Sequence, residues 1–507
     1  MSTMLKPEVL PSDQYNQTLV ENVHPPGWKN PEPRGRYNLV VIGAGTAGLV
    51  SAAGAAALGA RVALVEKHLM GGDCLNYGCV PSKALIRASR AAYALNEAAK
   101  YGVHVEGVTH INFSEVMERL RRMRAEISVH DSAQRFSKLG ADVFIGAARF
   151  IGPNAVEVDG QRLAFSKAII AAGGRARALP VPGLIEAGFL TNETVFSLTE
   201  LPRRLIVVGA GPVGRELAQA FRRLGSEVTV VTRGPRVLPR EDPDVAEVMA
   251  HRFQSEGIRF VLGAQLLCVE RENGSKEVVF DRGHGEEKVL GDEILLGVGR
   301  APNTEGLNLE AAGVAFDQKG VKVDDKLRTT NPDIYAAGDV CSNYKFTHAA
   351  EALARIALQN ALFFGRKNAS SLIIPWCTFT DPEVAHVGLN AREARVRGFE
   401  VETFTLPFSE VDRAVLDGEA EGFARVHVNK RSGRILGATL VSRHAGESIG
   451  EIVLAMTQGL KLSALSGVIH PYPTQAEVLK RLGDASLRAR LKPWMRNLLE
   501  RYFSLRR

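Results

Sequence analysis

Residues 37–48 read YNLVVIGAGTAG, and this stretch decides the fold. An apolar run rich in β-branched residues leads into Gly43, Gly45 and Gly48, and an alanine-rich segment that predicts a helix follows. A second apolar run, residues 61–65, ends at Glu66. This order of strand, glycine turn, helix, strand and acid is typical of a Rossmann-type unit that binds a dinucleotide.

Each glycine of this turn has a physical role in such a unit. The first two allow a tight turn and let a pyrophosphate approach the helix N-terminus, and the third lets the helix pack on the strand. Glu66 stands 23 residues after Gly43, where a carboxylate can accept hydrogen bonds from ribose hydroxyls. The uncharged stretch 39–60 is long enough to span a bilayer, but its glycines and alanines fit the dinucleotide unit better.

The same pattern recurs at residues 205–214, which read LIVVGAGPVG, and it predicts a second dinucleotide site. The strand after this helix ends in Thr232-Arg233 without a carboxylate, and Arg236 follows. A missing acid and nearby arginines favour a 2′-phosphate, and hence NADP over NAD, although arginines on a solvated surface would look the same. The glycines of this second turn are Gly209, Gly211 and Gly214.

Residues 71–83 read GGDCLNYGCVPSK and place two cysteines, Cys74 and Cys79, directly after the first unit. Five residues of ideal helix rise about 7.5 Å, whereas a disulfide needs Cα atoms roughly 4.4–6.8 Å apart. The pair can bridge only if the backbone is irregular, which Gly78 and Pro81 allow. We expect Cys74 near a helix N-terminus, where the dipole favours a thiolate. The alternative is two buried free thiols, but the neighbouring glycine turn favours a redox pair.

Composition narrows the class of protein. The chain has 507 residues, enough for about three domains, with 45% apolar and 23% charged residues. Five cysteines cannot form a disulfide framework and suit a reducing compartment. The net charge of +7 is concentrated in residues 486–507, which hold seven basic residues and one acid, so nucleic-acid binding is not expected. Residues 1–36 form a polar arm without a signal-peptide pattern, and we expect a cytoplasmic protein.

Three further motifs complete a family pattern: AAGG at 171–174, VGRAPN at 298–303 and AGD at 337–339. Over residues 37–485 the chain resembles the flavin-dependent pyridine nucleotide-disulfide oxidoreductases, which include lipoamide dehydrogenase, glutathione reductase and mercuric reductase. The resemblance implies an α/β fold with two Rossmann-like domains, for FAD and NADPH, and a C-terminal α+β dimerisation domain. The implied order is arm 1–36, FAD domain 37–188, NAD(P)H domain 189–305, FAD-domain return 306–371, dimerisation domain 372–486 and basic tail 487–507.

The resemblance also implies roles for individual residues. Cys79 would face the flavin, Cys74 would be the outward interchange thiol, and Lys83 would lie near flavin N5, paired with Glu216. Asp339 would hold the ribityl chain. Electrons would pass from NADPH through FAD to the disulfide, in a homodimer whose C-terminal domain completes the partner's active site. The remaining glycines assigned to cofactor binding are Gly72, Gly173 and Gly299.

The chain departs from the family near its C-terminus. Typical members carry His-Pro-Thr-x-x-Glu with a proton-shuttling histidine, whereas residues 470–477 read HPYPTQAE. When Thr474 and Glu477 are matched, Tyr472 stands in the histidine's place, and His470 lies two residues earlier. A phenol titrates near pH 10 and is a poor base for a dithiol. Tyrosine here resembles mercuric reductase, but that enzyme's C-terminal cysteine pair and amino-terminal CxxC domain are absent from this sequence.

These observations predict an NADPH-driven, FAD-containing oxidoreductase that passes electrons through Cys74 and Cys79. The acceptor would be a soft metal ion, held transiently by the two thiols, or a small thiol-reactive molecule. One alternative is a lipoamide dehydrogenase that uses His470 and Glu477 as its acid–base pair. A second alternative is a flavoprotein with mainly a binding or signalling role, against which the redox pair argues.

The tail has an amphipathic pattern. Pro493 is tolerated only in a first turn, which places the start of a helix near Lys492. We consider three states: a helix docked on the protein's own surface or dimer interface, an interfacial helix giving weak peripheral contact with anionic lipid, and a disordered end. The apolar positions recur at three- and four-residue steps: Leu491, Trp494, Met495, Leu498, Leu499, Tyr502 and Leu505.

Overall fold

A computed structural model describes residues 7–107, 110–239, 241–272, 274–363 and 365–507. The chain divides into two units, the first comprising residues up to Pro235 together with Glu256–Leu372, and the second comprising Arg236–Ser255 and Ile373–Arg507. Within the described residues, no helix has the length and apolar character that crossing a membrane requires.

The first glycine turn lies at the carboxyl edge of a parallel sheet, as its sequence predicts. Strands β3, β2, β1 and β6 lie side by side in that order, and Leu39, Val41 and Leu64 are fully buried in the core. The elements are α1 (Gln14–Val23), β1 (Tyr37–Ile42), α2 (Thr46–Ala57), β2 (Val62–Glu66), α3 (Gly72–Asn76), α4 (Cys79–Glu97), α5 (Phe113–Ser128), α6 (Ala133–Lys138), β3 (Ala141–Ile145), β4 (Ala148–Gly152), β5 (Ala155–Val158), β6 (Gln161–Ile170), β7 (Gly174–Ala176) and α7 (Leu184–Ala187).

The second glycine turn begins another parallel sheet, with strand order β10, β9, β8, β14. An antiparallel meander of β11, β12 and β13 lies in the chain between β10 and β14 of this sheet. The elements are β8 (Arg204–Val208), α8 (Pro212–Leu224), β9 (Glu227–Thr232), α9 (Pro243–Ser255), β10 (Arg259–Leu262), β11 (Gln265–Glu272), β12 (Ser275–Asp281), β13 (Glu286–Gly291), β14 (Glu293–Leu296) and β15 (Arg300–Pro302).

Both Rossmann-type turns need a glycine at their third position, because there the helix lies directly against the strand. A Cβ on Gly48 would lie 1.8 Å from the Gly43 carbonyl oxygen, and one on Gly214 would lie 2.2 Å from that of Gly209. Any larger side chain would push the helix off the sheet. The two turns are therefore built alike.

The chain then returns to the first sheet, through β16 (Phe316–Asp317), β17 (Gly320–Val321), β18 (Ile334–Ala336) and α10 (Thr347–Leu362). Strand β18 pairs in parallel with residues 168–170 of β6, and β1 pairs in parallel with the same residues from the opposite side. The carboxyl ends of β1 and β18 therefore point to the same edge of the sheet, and this brings Asp339 to the side of the first glycine turn.

The second unit is an antiparallel sheet, ordered β19, β20, β23, β22, β21, with helices on it. Val426, Leu440, Ile452 and Leu479 are fully buried in its core. The elements that follow α10 in the chain are β19 (Trp376–Thr378), β20 (Glu383–Gly388), α11 (Ala391–Val396), β21 (Val401–Pro407), α12 (Asp412–Leu416), β22 (Phe423–Asn429), β23 (Ile435–Ser442), α13 (Ala445–Thr457), α14 (Glu477–Ala489) and α15 (Pro493–Ser504).

The segment predicted as a polar arm, 1–36, differs from that expectation. Its first six residues lie outside the described residues, but α1 packs into the core with Leu19 and Val23 fully buried. Asp13 caps this helix through the Asn16 backbone N–H and also pairs with Arg121 of α5. The sequence did not predict this buried helix, because its few apolar residues stand among polar ones.

The position of helix α9 also differs from the prediction. The predicted division placed it in the nucleotide domain 189–305, whereas in the structure it belongs to the second unit. Arg425 of β22 pairs with Asp242 and Asp244 at the start of this helix, and Trp376 Nε1 donates to Glu241 at 3.1 Å. These side-chain contacts attach the helix to the second sheet, and the sequence pattern alone does not reveal them.

Candidate active site

Two glycine-rich loops meet closely at the carboxyl edge of the first sheet. Gly43 has a φ of +101°, and a Cβ on Gly72 would lie 2.6 Å from the Gly45 Cα. Glu66, at the end of β2, accepts hydrogen bonds from the Ala44 N–H at 2.7 Å and the His68 N–H at 2.8 Å. Burial raises the pKa of Glu66, and these N–H groups oppose the shift. The result is a backbone cradle beside a partly buried carboxyl group.

Asp339 lies at the same edge and is held by Arg300, which sequence reasoning left without a role. Arg300 Nε donates to Asp339 Oδ2 at 3.2 Å, and Arg300 Nη1 lies 3.1 Å from Asp73 Oδ2. Burial raises the pKa of Asp339, while Arg300 and Lys345 lower it. The signal for Arg300 was its place in the VGRAPN motif.

Gly173 and Gly299 precede two strands that pair with each other. Both glycines have positive φ, +68° and +104°, and lead into β7 and β15. The Asn303 N–H donates to the Gly173 carbonyl and the Arg177 N–H to the Gly299 carbonyl, both at 3.0 Å. The two motifs that carry these glycines are therefore joined where the chain crosses between the two Rossmann-like parts.

The two cysteines belong to different helices. Cys79 is the first residue of the long helix α4, whereas Cys74 lies inside the single turn of α3. The pKa of Cys79 is lowered to about 6, chiefly by a hydrogen bond from Cys74 and also by Thr347 and Lys83, while burial opposes the shift. The same hydrogen bond, with burial, raises the pKa of Cys74.

This geometry corrects the expectation that a helix dipole activates Cys74. The thiol at the N-terminus of the long helix is Cys79, and that position favours its thiolate. Thr347 Oγ1, at the start of α10, lies 3.3 Å from Cys79 Sγ. Thr347 carried no signal in the sequence, because only the return of the chain to the first sheet brings it to the pair.

Lys83 and Glu216 form an ion pair between α4 and α8. Lys83 Nζ donates to Glu216 Oε2 at 2.8 Å, and the Glu216 side chain is 6% exposed. The lysine follows Cys79 by one helical turn, so its charge lies on the side of the thiol. The resemblance implied this pairing, and the structure contains it.

A cavity of about 200 Å³ adjoins Cys74 on α3. Its walls are mainly apolar and include Leu49, Val50 and Val80, but Asp131 also lines it. Burial raises the pKa of Asp131, which Arg135 and His130 lower in part. No sequence motif pointed to this cavity, since its walls come from three separate segments of the chain, residues 46–50, 71–80 and 127–131.

The second dinucleotide turn has the expected form at the end of β8. A Cβ on Gly209 would lie 2.6 Å from the Gly297 carbonyl oxygen, and one on Gly211 would lie 3.2 Å from the same atom. Arg233 directly follows β9 and is exposed. Arg236 Nη2 donates to the Pro239 carbonyl at 3.0 Å.

The C-terminal residues of the predicted site are arranged differently from the expectation. His470 Nε2 pairs with Glu451 Oε2 at 2.9 Å, so the predicted partnership of His470 with Glu477 is wrong. Glu477 instead begins α14. Tyr472 is 71% exposed, and its hydroxyl donates to Asp412 Oδ2 at 2.7 Å. This hydrogen bond raises the pKa of Tyr472. Glu451 lies 19 residues from His470, and no local pattern marks that pairing.

The fold and the cysteine pair define a flavin-type disulfide reductase, and comparison with known proteins agrees. The chain belongs to the pyridine nucleotide-disulphide oxidoreductase family, whose sequence profile matches residues 37–354. The profile of the family's dimerisation domain matches residues 374–482. The family uses FAD with NAD(P)H as electron donor, and its dimerisation domain supports a homodimer.

Relatives fall into several named activities. Mercuric reductase of Bacillus cereus is 34% identical over 89% of this chain and 72% of its own. Dihydrolipoyl dehydrogenase of Chlamydia trachomatis is 36% identical over 87% of this chain and 95% of its own. A Cu(II) complex of RclA, an HOCl-induced flavoprotein disulfide reductase from Escherichia coli, superposes with a TM-score of 0.79 at 27% identity and covers 89% and 100% of the two chains.

The first sheet edge fits FAD. A Cβ on Gly43 or on Gly72 would clash with nearby backbone, and the cradle that these residues form with Gly45 would hold a pyrophosphate beside the N-terminus of α2. Glu66 and Asp339 are carboxyl groups at the same edge, suited to ribose and ribityl hydroxyls. FAD bound there would supply the transfer of two electrons from a nicotinamide to the cysteine pair.

Proposed function

We propose that this chain is an NADPH-driven oxidoreductase whose Cys74 and Cys79 reduce a soft metal ion. The cavity beside Cys74 carries the proposal. Among the described residues that line it, Asp131 is the one with a charged side chain. A carboxylate in apolar surroundings attracts cations and repels anions, and thiolates prefer soft metals. The cavity therefore suits a metal cation better than an anionic thiolate.

The state of Tyr472 supports the same acceptor. Its hydrogen bond to Asp412 raises a pKa that is already near 10 in a free tyrosine, so the phenol stays protonated at neutral pH. It cannot accept a proton from a dithiol there. Transfer of a metal ion between thiolates needs less proton movement, and the likeness to mercuric reductases agrees with this chemistry.

The chain's own residues divide the work. Cys79 holds the negative charge. Its thiolate is stabilised by hydrogen bonds from Cys74 and Thr347 and by the positive charge of Lys83. Cys74, on the cavity side, displaces a thiol ligand from the incoming ion, and Cys79 supplies a second sulfur. A divalent ion such as Hg²⁺ then takes up two electrons, which NADPH provides. Glu216 keeps the charge of Lys83 near this pair.

An acceptor screen on the FAD-loaded protein tests the proposal. Anaerobic NADPH titration is followed by Hg²⁺ with excess thiol, by Cu²⁺, and by dihydrolipoamide with NAD⁺. We expect metal-dependent NADPH oxidation, which Cys74→Ser abolishes. Reduction of NAD⁺ by dihydrolipoamide without any metal-dependent turnover would overturn the proposal, and turnover with none of these acceptors would leave a binding or signalling role.

One observation favours a second candidate, a dithiol oxidoreductase of the dihydrolipoyl dehydrogenase type. The His470 side chain is 8% exposed and is paired with Glu451, an arrangement suited to moving a proton. Dihydrolipoyl dehydrogenases are also among the relatives. In this case His470 would serve the thiols as acid and base.

Variants at positions 472 and 470 separate the two candidates. For metal transfer, Tyr472→Phe should lower acceptor turnover about tenfold, and His470→Gln less than about threefold. For dithiol chemistry the order reverses, since glutamine preserves a hydrogen bond to Glu451 but cannot shuttle a proton. Steady-state rates with each acceptor decide between them, and equal losses in both variants would contradict both assignments.

A further variant tests the choice of NADPH. Arg233 follows β9 at its carboxyl end, where a 2′-phosphate would lie, and Thr232 places no carboxylate there. A lost hydrogen bond to a charged group costs roughly 1.5–3 kcal/mol. Arg233→Ala should therefore raise the KM for NADPH at least about tenfold and change that for NADH little. Arg203→Ala, before β8 at the opposite edge, is the matched control. Equal wild-type efficiency with both coenzymes would refute the preference.

A further inference from the structure

Helix α15 is an exposed amphipathic helix at the end of the chain. It begins at Pro493 with Lys492 as its N-cap, as the sequence predicts, and none of its residues is buried. The exposed fraction is 62% for Trp494 and for Leu498, and 88% for Leu505 just after the helix. Among the described residues, no hydrogen bond or ion pair joins an α15 side chain to another element. The described residues therefore do not show α15 docked on its own chain, and docking at the dimer interface stays a prediction.

The helix separates apolar from charged positions. At about 100° per residue, the apolar residues share roughly half of the circumference. Arg496 and Glu500 lie on the opposite half, and Arg501 lies at the border. Arg506 covers the Tyr502 ring at 4.9 Å. The members of the apolar face are Trp494, Met495, Leu498, Leu499 and Tyr502.

We propose that α15 binds the surface of a membrane that contains anionic lipid, with the Trp494 face in the headgroup region. Seven basic residues and one acid in residues 486–507 complement a negative surface. Aromatic and aliphatic side chains beside arginines are typical of helices that lie in this interface. If the protein is cytoplasmic, as we expect, the surface available to α15 is the anionic cytoplasmic leaflet of a membrane.

A second copy of the chain is a less suitable occupant. The match to the family's dimerisation domain ends at residue 482, before α15 begins. A self-complementary contact would also bring the basic residues of two tails together, with only Glu500 in each to offset them. An anionic lipid surface covers the apolar face and neutralises the charge at once.

Vesicle flotation of the FAD-loaded protein tests the proposal. Vesicles contain equal parts of phosphatidylglycerol and phosphatidylcholine, or phosphatidylcholine alone. We expect flotation with the anionic vesicles at low salt, strong loss of it at about 1 M salt, where the Debye length is about 3 Å, and little with phosphatidylcholine alone. A chain that ends at Leu491, which keeps α14 whole, should not float.

Two point variants add the same negative charge to opposite faces. Trp494→Glu should reduce the bound fraction at least about tenfold, whereas Asn497→Glu on the polar face should reduce it much less. Light scattering and NADPH oxidation report whether each variant stays folded and oligomeric. No flotation of the full chain, equal flotation of the shortened chain, or dissociation of the oligomer on shortening would each overturn the proposal, the last in favour of a second copy.

Discussion

Cys79→Ser is expected to abolish a long-wavelength absorption band that NADPH reduction produces in the FAD-loaded protein, and to stop acceptor turnover, a loss of at least about a thousandfold. The band arises from a thiolate beside oxidised flavin, and the structure gives the thiolate to Cys79, at the start of α4 and 3.3 Å from Thr347 Oγ1. Cys74→Ser should stop turnover equally but retain the band before reduction, because Cys79 then has no disulfide partner. Absorption spectra under anaerobic conditions measure both effects.

The pH dependence of the band provides a second readout. Because the pKa of Cys79 is lowered to about 6, the thiolate is present above that pH, and the band fades as the pH falls through it. The control is Cys268→Ser, which removes a thiol from β11 and should change neither spectrum nor rate. A wild-type band in Cys79→Ser would mean that the roles of the two thiols are reversed.

Glu256→Gln is expected to destabilise the first unit by about 3–5 kcal/mol, because it breaks a buried ion pair and leaves one charge behind. Glu256 accepts two hydrogen bonds from Arg223 of α8, at 2.8 and 2.6 Å, and the two side chains are 1% and 2% exposed. Arg223 also stacks on Tyr93 of α4, 4.0 Å from the ring centroid. The cluster therefore fixes α4, which carries Cys79 and Lys83, against α8, which carries Glu216.

Denaturant unfolding monitored by fluorescence measures this effect. The pair Arg223→Met and Glu256→Met, made together, should be much less destabilised than Glu256→Gln alone, since no charge stays buried. Glu287→Gln, which removes an exposed pair with Arg282, should leave the unfolding midpoint almost unchanged. Equal midpoints for Glu256→Gln and Glu287→Gln would show that the buried pair contributes no more than a surface one.

The local patterns predicted the parts of the fold that a short stretch of chain determines. The two glycine turns, the strands before them and the start of α15 at Pro493 follow from the spacing of glycine, proline and apolar residues. Backbone sterics act over a few residues, so a sequence shows them directly. The family motifs in turn carried the pairing of Lys83 with Glu216, which lie 133 residues apart.

The parts that escaped prediction depend on contacts between distant segments. Thr347 stands 268 residues from Cys79, yet it helps to decide which thiol carries the charge. The helix dipole argument chose Cys74, because the boundary between α3 and α4 falls inside the motif. His470 pairs with Glu451, which α13 carries. The family motif contains Glu477 but not Glu451, so it could not predict this pair.

The return of the chain to the first sheet also sets an order of events during synthesis. Strand β18 completes the edge beside β6, but a ribosome makes it only after the whole second nucleotide-binding sheet, whose strands run from Arg204 to Leu296. Domains generally fold as units while the chain emerges. The second nucleotide-binding sheet can therefore close on a nascent chain that still lacks Asp339, and capture of the flavin must wait until that residue has left the ribosome.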